Sequence, residues 1–155
     1  MTSTKNLQYT QIRALHGAVL DIVAVMNRPQ RDAEMVRAAG IRLDRALFPL
    51  LVLVERLGPL ALGELADRVG RDHTTISRQA ARLEELGLIA RRPGEDRRVR
   101  EAVITPAGKA MTDRIDAARE RIMQRTFDGW TAEEVETFVR LMRRYADAMM
   151  QPPDP

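Results

Sequence analysis

The sequence contains no cysteine, which excludes disulfides, thiolate metal sites and thiol-based redox sensing. Histidine is scarce: with only His16 and His73, a histidine-rich metal cage has too few ligands. No stretch approaches the ~20 consecutive apolar residues of a membrane span, and the polar start, residues 1–7, lacks the apolar core of a secretory leader. The expectation is a cytoplasmic protein with no metal, no cofactor and no membrane partner. A catalytic constellation is missing as well. There is no Gly-rich phosphate loop, no Ser-His-Asp order, and no carboxylate pair away from exposed helix faces, so no catalytic residues are assigned and an enzyme is not expected. Charge of one sign is not in large excess either: 25 Lys and Arg against 22 Asp and Glu leave a net +3, which does not separate a nucleic-acid binder from other proteins. The placement of the cations is more informative.

What the sequence does have is 45% apolar residues in 155, enough for a core. Leu7, Ile12, Leu15, Val19, Ile22 and Met26 recur at helical steps and predict a first helix ending near Asn27, before Pro29. Residues 30–39 are weakly helical and polar, and Gly40 closes them. Residues 43–57 are nearly all apolar and predict a buried helix with Asp44 as N-cap, a kink at Pro49 and a stop at Gly58-Pro59. Two short helices follow, 61–69 and 73–86, joined by Gly70-Arg71-Asp72. Residues 88–90 and 99–104 are short and partly β-branched, and the charged, turn-rich segment 92–97 joins them into a hairpin. Thr105-Pro106 starts a further helix with the stripe Met111, Ile115, Ala118, Ile122. Thr131 and Glu134 form a capping box ahead of Val135, Phe138, Met142, Tyr145 and Met149.

Within the helix pair, Ala66 lets two helices cross closely, Gly70 permits the positive φ of a tight turn, and Ile76 inserts into the core. Leu62, Leu65, Val69, Ala80, Leu83 and Leu86 complete the expected buried side. At 100° per residue, Thr74, Ser77, Arg78, Ala81 and Arg82 fall on the opposite face. That face is polar and basic, and suits a major groove: Arg78 can donate two bonds to guanine, the hydroxyls reach phosphates or base edges, and Ala81 permits close approach. A solvated surface helix would show similar charges. The neighbouring hairpin tips the balance, because it carries Arg91, Arg92, Arg97, Arg98 and Arg100 against Glu95 and Asp96. An arginine at such a tip can enter the narrow, electronegative minor groove, with Asp96 orienting its guanidinium.

The run Leu62-Gly-Glu-Leu-Ala-Asp-Arg-Val-Gly70, with Thr74-Thr-Ile-Ser-Arg78, Leu83-Glu-Glu-Leu-Gly-Leu-Ile89, Asp96-Arg-Arg98 and Ile104-Thr-Pro-Ala-Gly108, resembles the MarR family over residues 43–108. The resemblance implies a mainly α fold with a small β-hairpin wing, a winged helix-turn-helix flanked by N- and C-terminal dimerisation helices. It further implies a transcriptional regulator, a repressor, that binds double-stranded DNA as a homodimer on a palindromic operator. By the family pattern Arg98 enters the minor groove with Asp96 as its partner and Arg97 beside it, while Thr74, Thr75, Ser77, Arg78 and Arg82 lie in or along the major groove. The N-terminal cysteine of the redox-sensing members has no counterpart here.

The apolar stripes of the N-terminal and the two C-terminal helices, with Phe127 and Trp130, exceed what isolated helices can hide, and a second copy would cover them. The expected division is an N-terminal dimerisation helix and linker (1–42), a winged helix-turn-helix (43–105), C-terminal dimerisation helices (106–150) and a disordered tail (151–155). The resemblance also implies a small phenolic or aromatic effector, for which His16, Arg45 and Phe48 are the candidate ligand-binding residues. Two rivals are a winged helix of another regulator family and a winged helix that binds a protein partner. The latter calls for apolar anchors where this chain has Thr, Ser and Arg.

Overall fold

A computed structural model of the chain describes residues 8–151. The described residues form α1 (Tyr9–Met26), α2 (Pro29–Ala38), α3 (Phe48–Leu57), β1 (Leu60–Ala61), α4 (Leu62–Val69), α5 (His73–Glu85), β2 (Ile89–Pro93), β3 (Arg100–Ile104), α6 (Pro106–Thr126) and α7 (Ala132–Met150). They fall into two compact units, one up to Ala118 and one from Arg119 onward. Leu7, expected on the first helix, and most of the expected tail lie outside the described residues.

In the first unit the core is built by α3, α4, α5 and the sheet. Leu50, Leu51, Leu65, Ile76, Leu83 and Ile89 are fully buried, with Ala66 and Ala80 between them. Each such Leu or Ile contributes about 1.5–3 kcal/mol of burial, and the two alanines let α4 and α5 approach closely enough for the larger side chains to interlock. Gly70 ends α4 in the left-handed region at φ 62, where a side chain would be strained. This bend turns α5 across α4. Asp72 then caps α5, accepting the N–H of Thr75 at 2.7 Å.

The sheet has three antiparallel strands in the order β1-β3-β2. The expected two-stranded hairpin is therefore incomplete: Ala61, assigned to a helix, pairs with Glu101, and Leu60 pairs with Ala102. Two residues after a Pro carry too little pattern to announce a strand. The hairpin itself runs to Pro93, further than expected, and resumes at Arg100 rather than Val99.

The start of α3 also differs. Pro49 sits in its first turn, where the missing N–H is unpaired in any helix, so it initiates the helix and does not kink it. Asp44 caps the turn before it, accepting the N–H of Ala46 at 2.8 Å. Leu86, expected inside, is exposed; it is the C-cap of α5, and Gly87 beyond it turns the chain away before the stripe can continue. Thr105 and Pro106 begin α6 as expected. α1 has no buried residue: Ile12, Leu15, Leu20, Ile22 and Met26 are all exposed.

In the second unit α7 opens with the expected capping box. Thr131 Oγ1 accepts the N–H of Glu134 at 3.2 Å and Glu134 Oε2 accepts the N–H of Thr131 at 2.8 Å. Trp130 packs edge to face on both Phe127 and Phe138, and the two phenylalanines pack tilted on each other, with centroids 5.1 to 5.8 Å apart. α7 has no buried residue either, and Val139, Leu141, Met142 and Met149 are exposed.

Candidate nucleic-acid interface

Burial of Ile76, Ala80 and Leu83 fixes how α5 is rotated. Thr74, Ser77, Arg78, Ala81 and Arg82 therefore stand in solvent, and Thr75 is half-buried. At the front of the helix, the two bonds from Thr75 hold the Asp72 carboxyl below the usual carboxylate range. His73 Nε2 meets Asp67 Oδ1 of α4 at 2.6 Å, closing the turn between the two helices.

The tip of the hairpin is shaped by Asp96. Its Oδ1 accepts the backbone N–H of Arg98 at 3.0 Å and its carbonyl accepts the N–H of Val99 at 2.9 Å, an Asx turn that Gly94 closes by donating to the Val99 carbonyl. Asp96 was expected to grip the Arg98 guanidinium; the bond it makes is to the main chain. Its effect is still on Arg98, since it sets where that side chain leaves the loop. Arg97 and Arg98 are exposed.

Ion pairing sorts the arginines. Arg91 pairs with Glu84 of α5 at 3.3 Å, Arg92 with Glu101 of β3 at 3.7 Å and Arg82 with Glu85 at 2.8 Å. Among the described residues Arg78, Arg97 and Arg98 have no ion-pair partner, which leaves their charge available to a polyanion. Arg82 also borders a concavity of about 330 Å³ with Arg42, Leu43, Asp44, Leu47 and Leu86. The periodicity that found this face says nothing about pairing; an acid three residues beyond Arg82 was the available signal.

The three effector candidates differ in burial and in the element that carries them. His16 and Arg45 are exposed on α1 and in the turn before α3, while Phe48 is buried in the first turn of α3. A concavity of about 570 Å³ lies elsewhere, between residues 40–42 and the first turns of α6, lined by Ile41, Arg42, Ala107, Met111 and Arg114 among others.

Residues 43–99, the segment that builds this surface, match the model of the MarR family. The HTH-type transcriptional regulator YxaD of Bacillus subtilis is 33% identical over 109 residues, spanning 70% of this chain and 76% of that protein. The chain belongs to the MarR family. It is accordingly a DNA-binding transcriptional regulator with a winged helix-turn-helix, in which α5 holds the place of the recognition helix and the β2-β3 hairpin is the wing. The HTH-type transcriptional repressor MdtR of Bacillus subtilis is 30% identical over 100 residues, covering 64% of each chain. Among solved structures, a MarR family protein from Bacillus stearothermophilus shares the fold with a TM-score of 0.75 at 21% identity, over 94% of this chain and all of that one. MarR itself aligns with a TM-score of 0.64 at 27% identity, over 86% of this chain and 96% of that one. Among the described residues no helix is long and apolar enough to cross a membrane.

Proposed function

We propose that the protein is a homodimeric repressor in the cytoplasm, acting by binding and not by catalysis, that reads a palindromic operator with two copies of the surface just described. Residues 43–105 are the reading module; residues 1–42 and 106–150 serve dimerisation. Thr74, Thr75, Ser77 and Arg78 contact the major groove, Arg82 lies along its edge, and Arg97 and Arg98 carry the wing into the minor groove with Asp96 setting the loop. The observation that carries this reading is the exposure of one polar, basic face: burial of Ile76, Ala80 and Leu83 turns Thr74, Ser77 and Arg78 of α5 to solvent, and Arg97 and Arg98 stand exposed at the wing tip.

The dimer is supported by apolar exposure on both terminal elements. Leu20, Ile22 and Val23 on α1 and Val139, Leu141 and Met142 on α7 are exposed in the single chain, which is costly in water unless another surface covers them. The second copy is the partner that a palindromic site calls for. Release by a small aromatic or phenolic effector is best supported at the concavity beside α6, where Ile41 and Met111 offer apolar contact and Arg42 and Arg114 a place for a phenolate or carboxylate. His16, Arg45 and Phe48 line neither this space nor the one beside Arg82.

The test is selection of bound fragments from the parent genome, followed by footprinting. The proposal expects a two-fold repeat with half-sites about one DNA turn apart, ~34 Å. A non-repetitive footprint, or no enriched fragment, contradicts it.

A further inference from the structure

Glu84 is an acid on a helix that approaches phosphates, a position where an unanswered carboxylate repels DNA. Its Oε2 lies 3.3 Å from Nε of Arg91 on β2, with the two side chains 44% and 26% exposed. The contact is ionic and not an aligned hydrogen bond, and Arg91 Nε is shut off from solvent. Arg91 is itself fixed from the other side. It pairs with Ala102 in the middle of the sheet, Ala102 pairs onward with Leu60, and the Arg91 carbonyl accepts Arg100 Nη2 at 3.2 Å. Among the described residues, Glu84–Arg91 is the ion pair that joins α5 to the hairpin. Beyond it the wing has the cross-strand pair Arg92–Glu101 and then the tip.

We propose that Glu84 is a positioning residue for DNA reading: by holding Arg91 it sets the angle between recognition helix and wing, so that both grooves are engaged in one register. From Arg91 the strand rises about 7 Å to Pro93 at about 3.3 Å per residue, and the turn beyond it carries the tip to roughly 10 Å. A tilt of about 20° at the Arg91 rung moves the tip by roughly 3 Å, close to the ~3.4 Å spacing of bases along a strand. A wing displaced by that much meets the wrong step when α5 is seated. Arg91, though basic and on the wing, is on this account spent inside the protein and contributes little charge to DNA.

The inference rests on the DNA-reading surface proposed above, and the sign of one substitution separates it from plain electrostatics. Glu84→Gln removes a negative charge from a surface facing DNA, which by Coulomb's law alone tightens binding to every duplex. Loss of the positioning contact weakens binding only where helix and wing must fit together. Fluorescence anisotropy on the selected genomic fragment and on a scrambled duplex, at one salt concentration, reads both. The expected result for Glu84→Gln is an operator affinity lower by about 10-fold, scrambled-duplex affinity unchanged or slightly tighter, and a melting temperature within about 2 °C of the parent, since partly exposed pairs add little stability. The exchange Glu84→Arg with Arg91→Glu is expected to recover operator preference. Operator binding by Glu84→Gln as tight as the parent's overturns the proposal, as does an equal loss on both duplexes. A parent that shows no preference for the fragment sinks the DNA-reading surface itself; a parent that discriminates while Glu84→Gln does so equally well sinks only the role of Glu84.

Discussion

Thr105 Oγ1 donates to the carbonyl of Gly87 at 2.7 Å while accepting the N–H of Gly108 at 3.1 Å. One hydroxyl thus ties the turn after the recognition helix to the first turn of α6, and Gly108 sits against the same turn: a Cβ there would lie 2.0 Å from the Leu88 carbonyl oxygen. That carbonyl is held by the N–H of Thr105 at 3.1 Å and cannot step aside. Gly108→Ala is expected to destabilise the fold by about 3 kcal/mol, and Thr105→Val by about 1–2 kcal/mol through its two lost bonds. Urea denaturation checks both, with a lowered midpoint at unchanged slope.

The acid limb of stability has a local source in Asp72. The N–H and hydroxyl of Thr75 lower its carboxyl pKa in the folded chain. The stabilisation is therefore present above the unfolded value, near 3.8, and is lost as pH falls through the lower folded one. Asp72→Ala is expected to lower the melting temperature by a few degrees at pH 7 and by less in acid, where the parent loses its cap too. Asp72→Asn caps through its amide oxygen and should keep the melting temperature at pH 7 while removing this contribution to the pH dependence. Thermal melts between pH 3 and 7 read the difference, using about one point per half unit.

Unpaired and paired arginines should behave differently toward salt. Removing one charge that contacts DNA lowers the slope of log K against log salt by roughly 0.9, and so by about 1.8 for a dimer. Arg98→Ala and Arg97→Ala are expected to approach that change. Arg82→Ala, which removes a cation already paired with Glu85, should shift the slope by less than half as much. Arg78→Ala should mainly relax the preference at one base position, reading as ~1–3 kcal/mol less discrimination. Titrations at four or five salt concentrations distinguish these outcomes.

Side chains exposed in the single chain can be altered without disturbing its core. Leu20→Asp on α1 and Leu141→Asp on α7 should leave the helical signal intact and convert a dimer to the mass of a monomer by light scattering. Operator affinity should fall with it, because one reading head has about half of the contacts.

The helix pair and the cap at Thr131 were legible in the sequence because each depends on residues with one dominant physical use. Ala66 permits close crossing, Gly70 takes a left-handed φ, and Thr131 with Glu134 satisfies two helix N–H groups. The polar face of α5 was legible for the complementary reason, since burial of Ile76, Ala80 and Leu83 dictates which side remains outside. What was not legible depends on partners distant in sequence or on short segments. β1 exists because β3 offers it an edge, Leu86 is exposed because Gly87 turns the chain, and the Asp96 contact to the Arg98 main chain follows from loop geometry. The roles of Glu84 and Arg91 needed the helix and the sheet placed side by side. His16, Arg45 and Phe48 were nominated by type and element alone, and nothing in periodicity says which side chains share a cavity.

The most direct test of a paired surface reading DNA is to insert five base pairs between the two half-sites of the selected operator, about half a helical turn, and to compare affinities. The rotation carries the second half-site to the opposite side of the duplex, away from the second recognition helix and wing. The account predicts a loss of at least ~100-fold, toward non-specific binding. Equal affinity for the two duplexes would contradict it.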